Sequence, residues 1–243
     1  MRQATNFRSN LSLRRTLIEL NTQVDHLKDW IALNGSSDSF SSLSKSFEDR
    51  DHLPQVVFDI LVLEDRRFFK HRGAEFRSIP RGLKRRVRTG KIGGTSTIDQ
   101  LLVRTCIQRS ERTFARKARE TLLALLINLH CGKDEIALSF VNSAYFGSRM
   151  YGADSASILL FGLQAIQLRG DYSAFVASLL PYPVPVNVSK FVRTVHSFSH
   201  PFDLLRAFEV SNPWWVGRVR ARMEYLKDLR PKYSAASLLA ASR

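Results

Sequence analysis

Two carboxylates and the cations that lie between them carry the chemistry this 243-residue chain is equipped for. Glu64 ends an apolar run, Val56, Val57, Ile60, Leu61 and Leu63, and stands beside Asp65. Burial and a neighbouring like charge both raise a carboxyl pKa, toward the range in which it can take a proton from a hydroxyl. Glu120 follows Arg116 by four residues, so one helical turn sets both on one face, which Leu123 and Ile127 continue into the core. Between the two carboxylates, residues 76–119 hold 13 Lys and Arg against Asp99 and Glu111, a net +11 of the chain's +15. Arginine suits an anionic substrate because its planar fork grips phosphate oxygens in pairs. Taken singly, Glu64 reads first as a helix-end carboxylate paired with Arg66 or Arg67. Arg116 and Glu120 read equally as an ordinary structural pair.

The elements that must position these groups follow from apolar spacing. Leu13, Leu17, Leu20, Val24, Leu27 and Ile31 recur at steps of four and three, the stripe of an amphipathic helix. That stripe suits packing on its own domain, a partner helix or a membrane surface. Asn34 to Ser46 has the composition of a serine-rich linker. Pro54 opens a helix that runs to Glu64. Residues 76–88 form a basic, partly helical segment, and Thr89 to Gly94 a loop. A helix begins near Ser96 or Thr97, whose hydroxyls can cap it. Phe114 to Cys131 is apolar on nearly all sides, the mark of a buried helix. Lys133 to Asn142, Ala153 to Gly162 and Trp214 to Leu229 give three more, and Pro181, Pro183 and Pro185 mark an extended segment. No stretch alternates convincingly as a strand.

Composition sets the outer limits. A chain with 44% hydrophobic and 24% charged residues is an ordinary globular protein with one substantial core. The pI near 10.4 calls for an anionic partner, and nucleic acid, an anionic membrane and a phosphorylated substrate are the generic classes. Cys106 and Cys131 are too few for a disulfide framework and read as buried free thiols. No apolar run reaches the roughly 18 residues that cross a bilayer, and the first 30 residues lack a signal-peptide core. Arg14-Arg15 is followed by Glu19, Asp25, Lys28 and Asp29 where a twin-arginine signal needs apolar residues.

Three ordered blocks resemble the glycosyltransferase family 51 domain, found in class A penicillin-binding proteins and in monofunctional peptidoglycan glycosyltransferases. They are Glu64-Asp65-x-x-Phe68-x-x-His71-x-Gly73, then Gly93-Gly94-Thr95-Ser96-Thr97-Ile98-Asp99-Gln100, then Arg116-Lys117-x-x-Glu120, twelve residues after Arg104. Lys133-x-x-Ile136 with Phe140-Val141-Asn142, and Gly152-Ala153 through Phe161-Gly162 to Leu180-Pro181, extend the likeness over residues 53–187, with a fainter echo in Arg218 to Met223.

The resemblance implies a mainly α-helical, two-lobed, lysozyme-like domain over residues 47–243, preceded by a helix and linker in residues 1–46. It implies polymerisation of a lipid II-type polyprenyl-diphosphate sugar into β-1,4-linked glycan. By the same resemblance, Glu64 and Glu120 are catalytic, Glu64 as general base and Glu120 at the leaving group. Asp65, Phe68, His71, Ser96, Thr97, Gln100, Arg104, Arg116 and Lys117 shape the site or bind the substrate. No cofactor is required, with a divalent cation, Mg or Mn, as the candidate near Glu120. The implied partners are the lipid-linked disaccharide-peptide, an anionic membrane surface and, through the helix at 12–33, a membrane or cell-wall synthesis protein. The implied location is the outer face of the bacterial cytoplasmic membrane.

The middle block departs from the family pattern. Thr95 stands for a Gly, Asp99 for a Thr, Leu101 for a Gln and Thr105 for an Asn, and Arg104 replaces the usual Lys. Asp99 is expected to bring a negative charge near the diphosphate, neutralised by Arg104 or holding a cation itself. These changes keep open a family member that binds lipid-linked precursor or a partner without full activity. A basic nucleic-acid-binding protein is the competing class, and it would interleave stacking aromatics with the basic run. Phe76 and Phe114 only flank it.

Overall fold

The computed structural model describes residues 2–35, 43, 53–75, 96–108, 113–194, 198–234 and 237–238, with side chains from residue 14 onward. Within them the chain is mainly α-helical. The helices are α1 (Arg2–Gly35), α2 (Gln55–Glu64), α3 (Ile98–Ile107), α4 (Phe114–Ile127), α5 (Lys133–Ser143), α6 (Ala153–Phe161), α7 (Gly170–Ser178), α8 (Val186–Thr194), α9 (Pro201–Ala207) and α10 (Pro213–Leu229). A small antiparallel hairpin, β1 (Tyr145–Gly147) and β2 (Met150–Tyr151), joins α5 to α6. These strands are too short to show alternation and so leave no periodic signal in the sequence.

Packing sorts the helices into two groups that share one hydrophobic core. The first is α1, α3, α4 and α5, with α1 lying along α5 and α3 between α4 and α5. In the second, α7 is the hub: α2, α6, α9 and α10 all pack on it. Its residues 173–178 are all buried, as expected of a helix covered on every side. That centre escaped the sequence reading because a nine-residue buried helix has no polar face to set a period, and α8 and α9, each with an exposed face, escaped it because they are only about two turns long. The contact of α5 with α6 and the turn after Glu64 connect the groups.

The stripe on α1 resolves as packing on the chain's own helices from Leu20 onward. Val24, Leu27 and Ile31 are buried, whereas Leu17 and Ile18 are exposed. Gly35 ends the helix where a Cβ would come within 2.5 Å of the Glu135 carbonyl oxygen, so its lack of a side chain lets α1 and α5 meet. The linker reading falls outside the described residues except at Asn34, Gly35 and buried Leu43, and so do residues 76–95 with their Gly-Gly loop. Two expectations change. The fourth helix ends at Ile127 and is half covered, with Phe114, Leu122 and Leu129 beyond its end all exposed. Cys131, expected to be buried, is only partly so, while Cys106 is buried beside His26 and its thiol is pushed up to about 11 by desolvation.

Gly73 closes the first block at φ +89°, where a Cβ would collide with the Ala124 carbonyl of α4. Both the left-handed backbone and the contact exclude a side chain. Gly73→Ala is expected to destabilise the fold by roughly 3 kcal/mol, read as a lower urea midpoint with unchanged m.

Candidate active site

Glu64 is the last residue of α2, and Asp65 caps that helix with its N–H on the Leu61 carbonyl at 2.9 Å. An apolar helix has carried the carboxylate to the edge of the core, leaving its side chain 17% exposed. Arg222 of α10 donates to Glu64 Oε1. Desolvation pushes the Glu64 carboxyl above its ordinary range, the Arg222 charge and hydrogen bond pull it partly back, and Asp65 adds a smaller upward push. The partner of Glu64 is thus neither Arg66, which donates to the Val62 carbonyl and the Tyr225 hydroxyl, nor Arg67, which pairs with Glu75 at 2.5 Å. Sequence reasoning missed Arg222. Its one signal was the faint likeness at Arg218 to Met223, which gave no spatial address.

The second cluster lies across α3 and α4. Thr97 caps α3 by accepting from the Gln100 N–H, and Gln100 returns its own side-chain oxygen to the Thr97 N–H, a capping box. Thr113 caps α4 in the same way through Arg116 N. These caps fix the ends from which the charged groups project. Arg104 reaches Glu120 at 3.1 and 3.3 Å, Arg116 donates to the same carboxylate, and Lys117 lies 3.5 Å from it. Lys117 also donates to Ser96 Oγ at 3.0 Å and Gln100 Oε1 at 2.8 Å. Its pKa is lowered, chiefly by burial and further by Arg104 and Arg116, against the upward pull of Glu120. One carboxylate thus answers three cations, leaving a local excess of positive charge around an open hollow lined by Val103, Arg104, Ile107, Arg116, Arg119, Glu120 and Leu123. Arg116 Nε is buried without an acceptor among the described residues, a donor that an anion would satisfy.

The two clusters are joined through Asp65. Its Oδ2 accepts from the Ile98 N–H at the start of α3 at 3.1 Å and lies 2.9 Å from His71 Nε2, while Thr97 Oγ1 donates to the Gly73 carbonyl at 2.7 Å. Phe68, 1% exposed, stacks edge-on with His71. Asp65, Phe68, His71, Thr97 and Gln100 therefore hold the site from behind, while Glu64, Ser96, Arg104, Arg116 and Lys117 are nearer solvent and Glu120 lies buried beneath its cations.

Asp99 corrects an expectation. It is fully buried and faces away from Arg104, with Lys133 at 2.8 and 3.0 Å and Asn128 at 2.6 Å on its carboxylate. At position 99 the α3 helix turns inward, so its charge belongs to the core pair and not to the cationic cluster. Leu101, the other marked departure, packs against the core. Asp65, His71 and Asp99 bring donor atoms within 4.8 Å of one another, but the Lys133 ammonium already supplies the positive charge there. Glu120 does not fit a divalent cation either, because three cationic side chains crowd its oxygens.

The Transglycosylase family model matches residues 37–199. The chain belongs to this family. Relatives include a biosynthetic peptidoglycan transglycosylase of Alcanivorax borkumensis, 36% identical over 134 residues that make up 55% of this chain and 54% of that protein. The corresponding protein of Caulobacter vibrioides is 33% identical, over 57% of this chain and 59% of its own length. Penicillin-binding protein 1B of Vibrio cholerae is 31% identical over 72% of this chain but 23% of that protein. The chain thus spans between about a quarter and three fifths of the length of these transglycosylase relatives. All the site residues above except Arg222 fall inside the matched family region.

The buried Asp99 pair yields a direct test. Asp99→Ala strands Lys133, whose pKa burial already depresses, and is expected to cost about 3 kcal/mol. Adding Lys133→Met removes the stranded charge and is expected to recover much of that loss in the same urea titration.

Proposed function

We propose that this chain is a peptidoglycan glycosyltransferase that polymerises a lipid II-type polyprenyl-diphosphate sugar into β-1,4-linked glycan. The observation that carries the reading is the pairing of a desolvated carboxylate, Glu64, with a cluster of three cations converging on Glu120, in a chain of the transglycosylase family. Relatives named as biosynthetic peptidoglycan transglycosylases support the same class of reaction.

In this reading the acceptor 4-hydroxyl loses its proton to Glu64 as its oxygen bonds to the donor's anomeric carbon. The bond from that carbon to the diphosphate breaks on the opposite face, so the configuration inverts. The departing diphosphate takes the excess positive charge of Arg104, Arg116 and Lys117, with Ser96 beside them. Glu120 holds those three side chains convergent while the site is empty, and it yields them as phosphate oxygens compete for the same donors. In this reading the side chains supply the charge compensation.

Activity without the fold's integrity at risk is supported by the position of Asp99. A carboxylate tied to Lys133 in the core does not repel a diphosphate bound at Arg104, which removes the main reason to read the altered middle block as a loss of activity. We further propose that the enzyme works at the outer face of the cytoplasmic membrane, where its substrate is anchored. No described helix is long and apolar enough to cross a bilayer. Exposed Leu17 and Ile18 next to Arg14 and Arg15 suit contact with an anionic lipid surface or a membrane-bound synthesis partner.

Glu64→Gln is expected to abolish glycan polymerisation while leaving the urea midpoint close to the parent's, since an amide keeps the shape but accepts no proton. In the parent, polymerisation should fall as pH drops through the Glu64 pKa. Because burial raises that pKa, the acid limb should lie above the ordinary carboxylate range. Polymerisation of labelled lipid II across pH reads both, and a Glu64→Gln variant at the parent rate rejects the assignment.

The diphosphate contacts are local in this reading. Neutralising Arg104, Arg116 and Lys117 together should therefore weaken binding of diphosphate-linked lipid at least about a hundredfold, as expected for lost charge-assisted bonds. Neutralising exposed Arg206 and Lys227 should change it little. A lipid-binding titration at fixed ionic strength separates the two sets.

A further inference from the structure

We propose that α10 is a positioning element for Glu64, acting through Arg222 and held in place by a buried clamp of Asp59, Ser173 and Arg230. This rests on the reading of Glu64 as the base, and none of these four residues belongs to the three sequence blocks.

Arg222 is 158 residues from Glu64 in the chain, yet it supplies the only hydrogen bond the described residues make to that carboxylate. Its Nε is buried and finds no acceptor among the described residues, so nothing on its own side chain anchors the guanidinium apart from Glu64. Where Arg222 stands is therefore decided by the backbone of α10.

That backbone packs mainly on α7 and touches α2 less extensively. What ties it to the helix bearing Glu64 is a second ion pair. Asp59, fully buried on α2, accepts from Arg230 Nε at 2.9 Å and Nη2 at 2.6 Å, and from the Ser173 hydroxyl of α7. Arg230 Nη2 also donates to the Gly170 carbonyl at 2.8 Å, so one guanidinium grips α2 and the start of α7 together. Burial raises the Asp59 pKa, against the downward pull of Arg230 and Ser173. A carboxylate so desolvated persists only with its cation in place.

The two pairs run antiparallel. From Asp59 to Glu64 is about 7.5 Å along α2, and from Arg222 to Arg230 about 12 Å along α10, at 1.5 Å per residue. The Asp59 clamp fixes the far end of α10, and Arg222 projects from the near end onto Glu64. The charges that act on Glu64 among the described residues are Arg222 from α10 and Asp65 from the turn after α2. Neither α7 nor the 165–167 turn, which also pack on α2, contributes one. Arg222 is thus the one group that offsets the burial of the base and aims its carboxylate. Releasing the clamp lets Arg222 drift, and the base becomes both less ionised and less well aimed.

The test compares the full-length chain with Arg222→Gln, Asp59→Asn, Ser173→Ala and the charge-neutral double variant Asp59→Asn with Arg230→Gln. Each is read by the carboxyl carbon-13 titration of Glu64, assigned by its absence in Glu64→Gln, by the pH profile of lipid II polymerisation and by the urea midpoint. Arg222→Gln is expected to raise the Glu64 titration and the acid limb by about one pH unit, the effect of losing an adjacent opposite charge. The clamp variants should move both the same way by less, and lower kcat roughly three- to tenfold with KM unchanged. Asp59→Asn combined with Arg222→Gln should titrate as Arg222→Gln alone, because both act on one interaction.

Clamp variants that lose stability yet leave the Glu64 titration at the parental value would overturn the proposal, as Asp59 would then be only a structural pair. Ser173→Ala, the mildest change, keeps that comparison available if a charge variant fails to fold. If the parent does not polymerise lipid II but the titration moves as expected, the positioning role stands and the assignment of Glu64 as a transferase base falls.

Discussion

A carboxylate withdrawn from water must be given close donors, and among the described residues four such carboxylates are held by Lys or Arg, mostly from other helices. Asp59 is held by Arg230, Glu64 by Arg222, Asp99 by Lys133, and Glu120 by Arg104 and Arg116. The desolvation penalty on each carboxylate is several kcal/mol and is recovered only with close, directed contacts. Each pair therefore specifies where two helices lie relative to one another. Hydrophobic burial holds the helices together, and these pairs choose among the arrangements that burial alone would allow.

The pairs differ in what they leave over. At Asp99 the carboxylate, ammonium and Asn128 amide are matched, and the result is an inert strut beneath α3. At Glu120 three cations converge on one anion, so the site carries an unspent positive charge and a buried donor without an acceptor. At Glu64 the opposite balance holds, since a single Arg222 bond incompletely offsets burial and the carboxyl remains raised. A carboxyl with elevated proton affinity and a cluster with surplus positive charge are what the proposed group transfer from a diphosphate requires. Asp65 joins them by accepting from the first N–H of α3 while standing next to Glu64.

The basic character of the chain acquires meaning from this arrangement. Net charge attracts any anion, over distances that salt screens. In the proposed function a diphosphate is distinguished by the convergence of Arg104, Arg116 and Lys117 at short range, with a hydroxyl at Ser96 and a pair of helix caps behind them. Those caps come from Thr97 and Thr113, small residues that turn two flexible entries into fixed platforms.

Sequence alone settled the helical character, the inward face of α4 at Glu120, Leu123 and Ile127, a hydroxyl cap at Ser96 or Thr97, the turn at Gly73 and the family. Each is written in residues a few positions apart, where helical period, capping and backbone sterics act. It also identified Glu64 and Glu120 as the pair of interest, because motif spacing is local. The tertiary structure decided the partners. That Glu64 meets Arg222 and not Arg66, that Asp99 turns to Lys133 and not to Arg104, and that Asp59 needs Arg230 depends on how separate helices pack together. Coulomb attraction between such groups acts only once the fold has brought them within a few ångströms and removed the water between them, and local spacing carries no record of that distance.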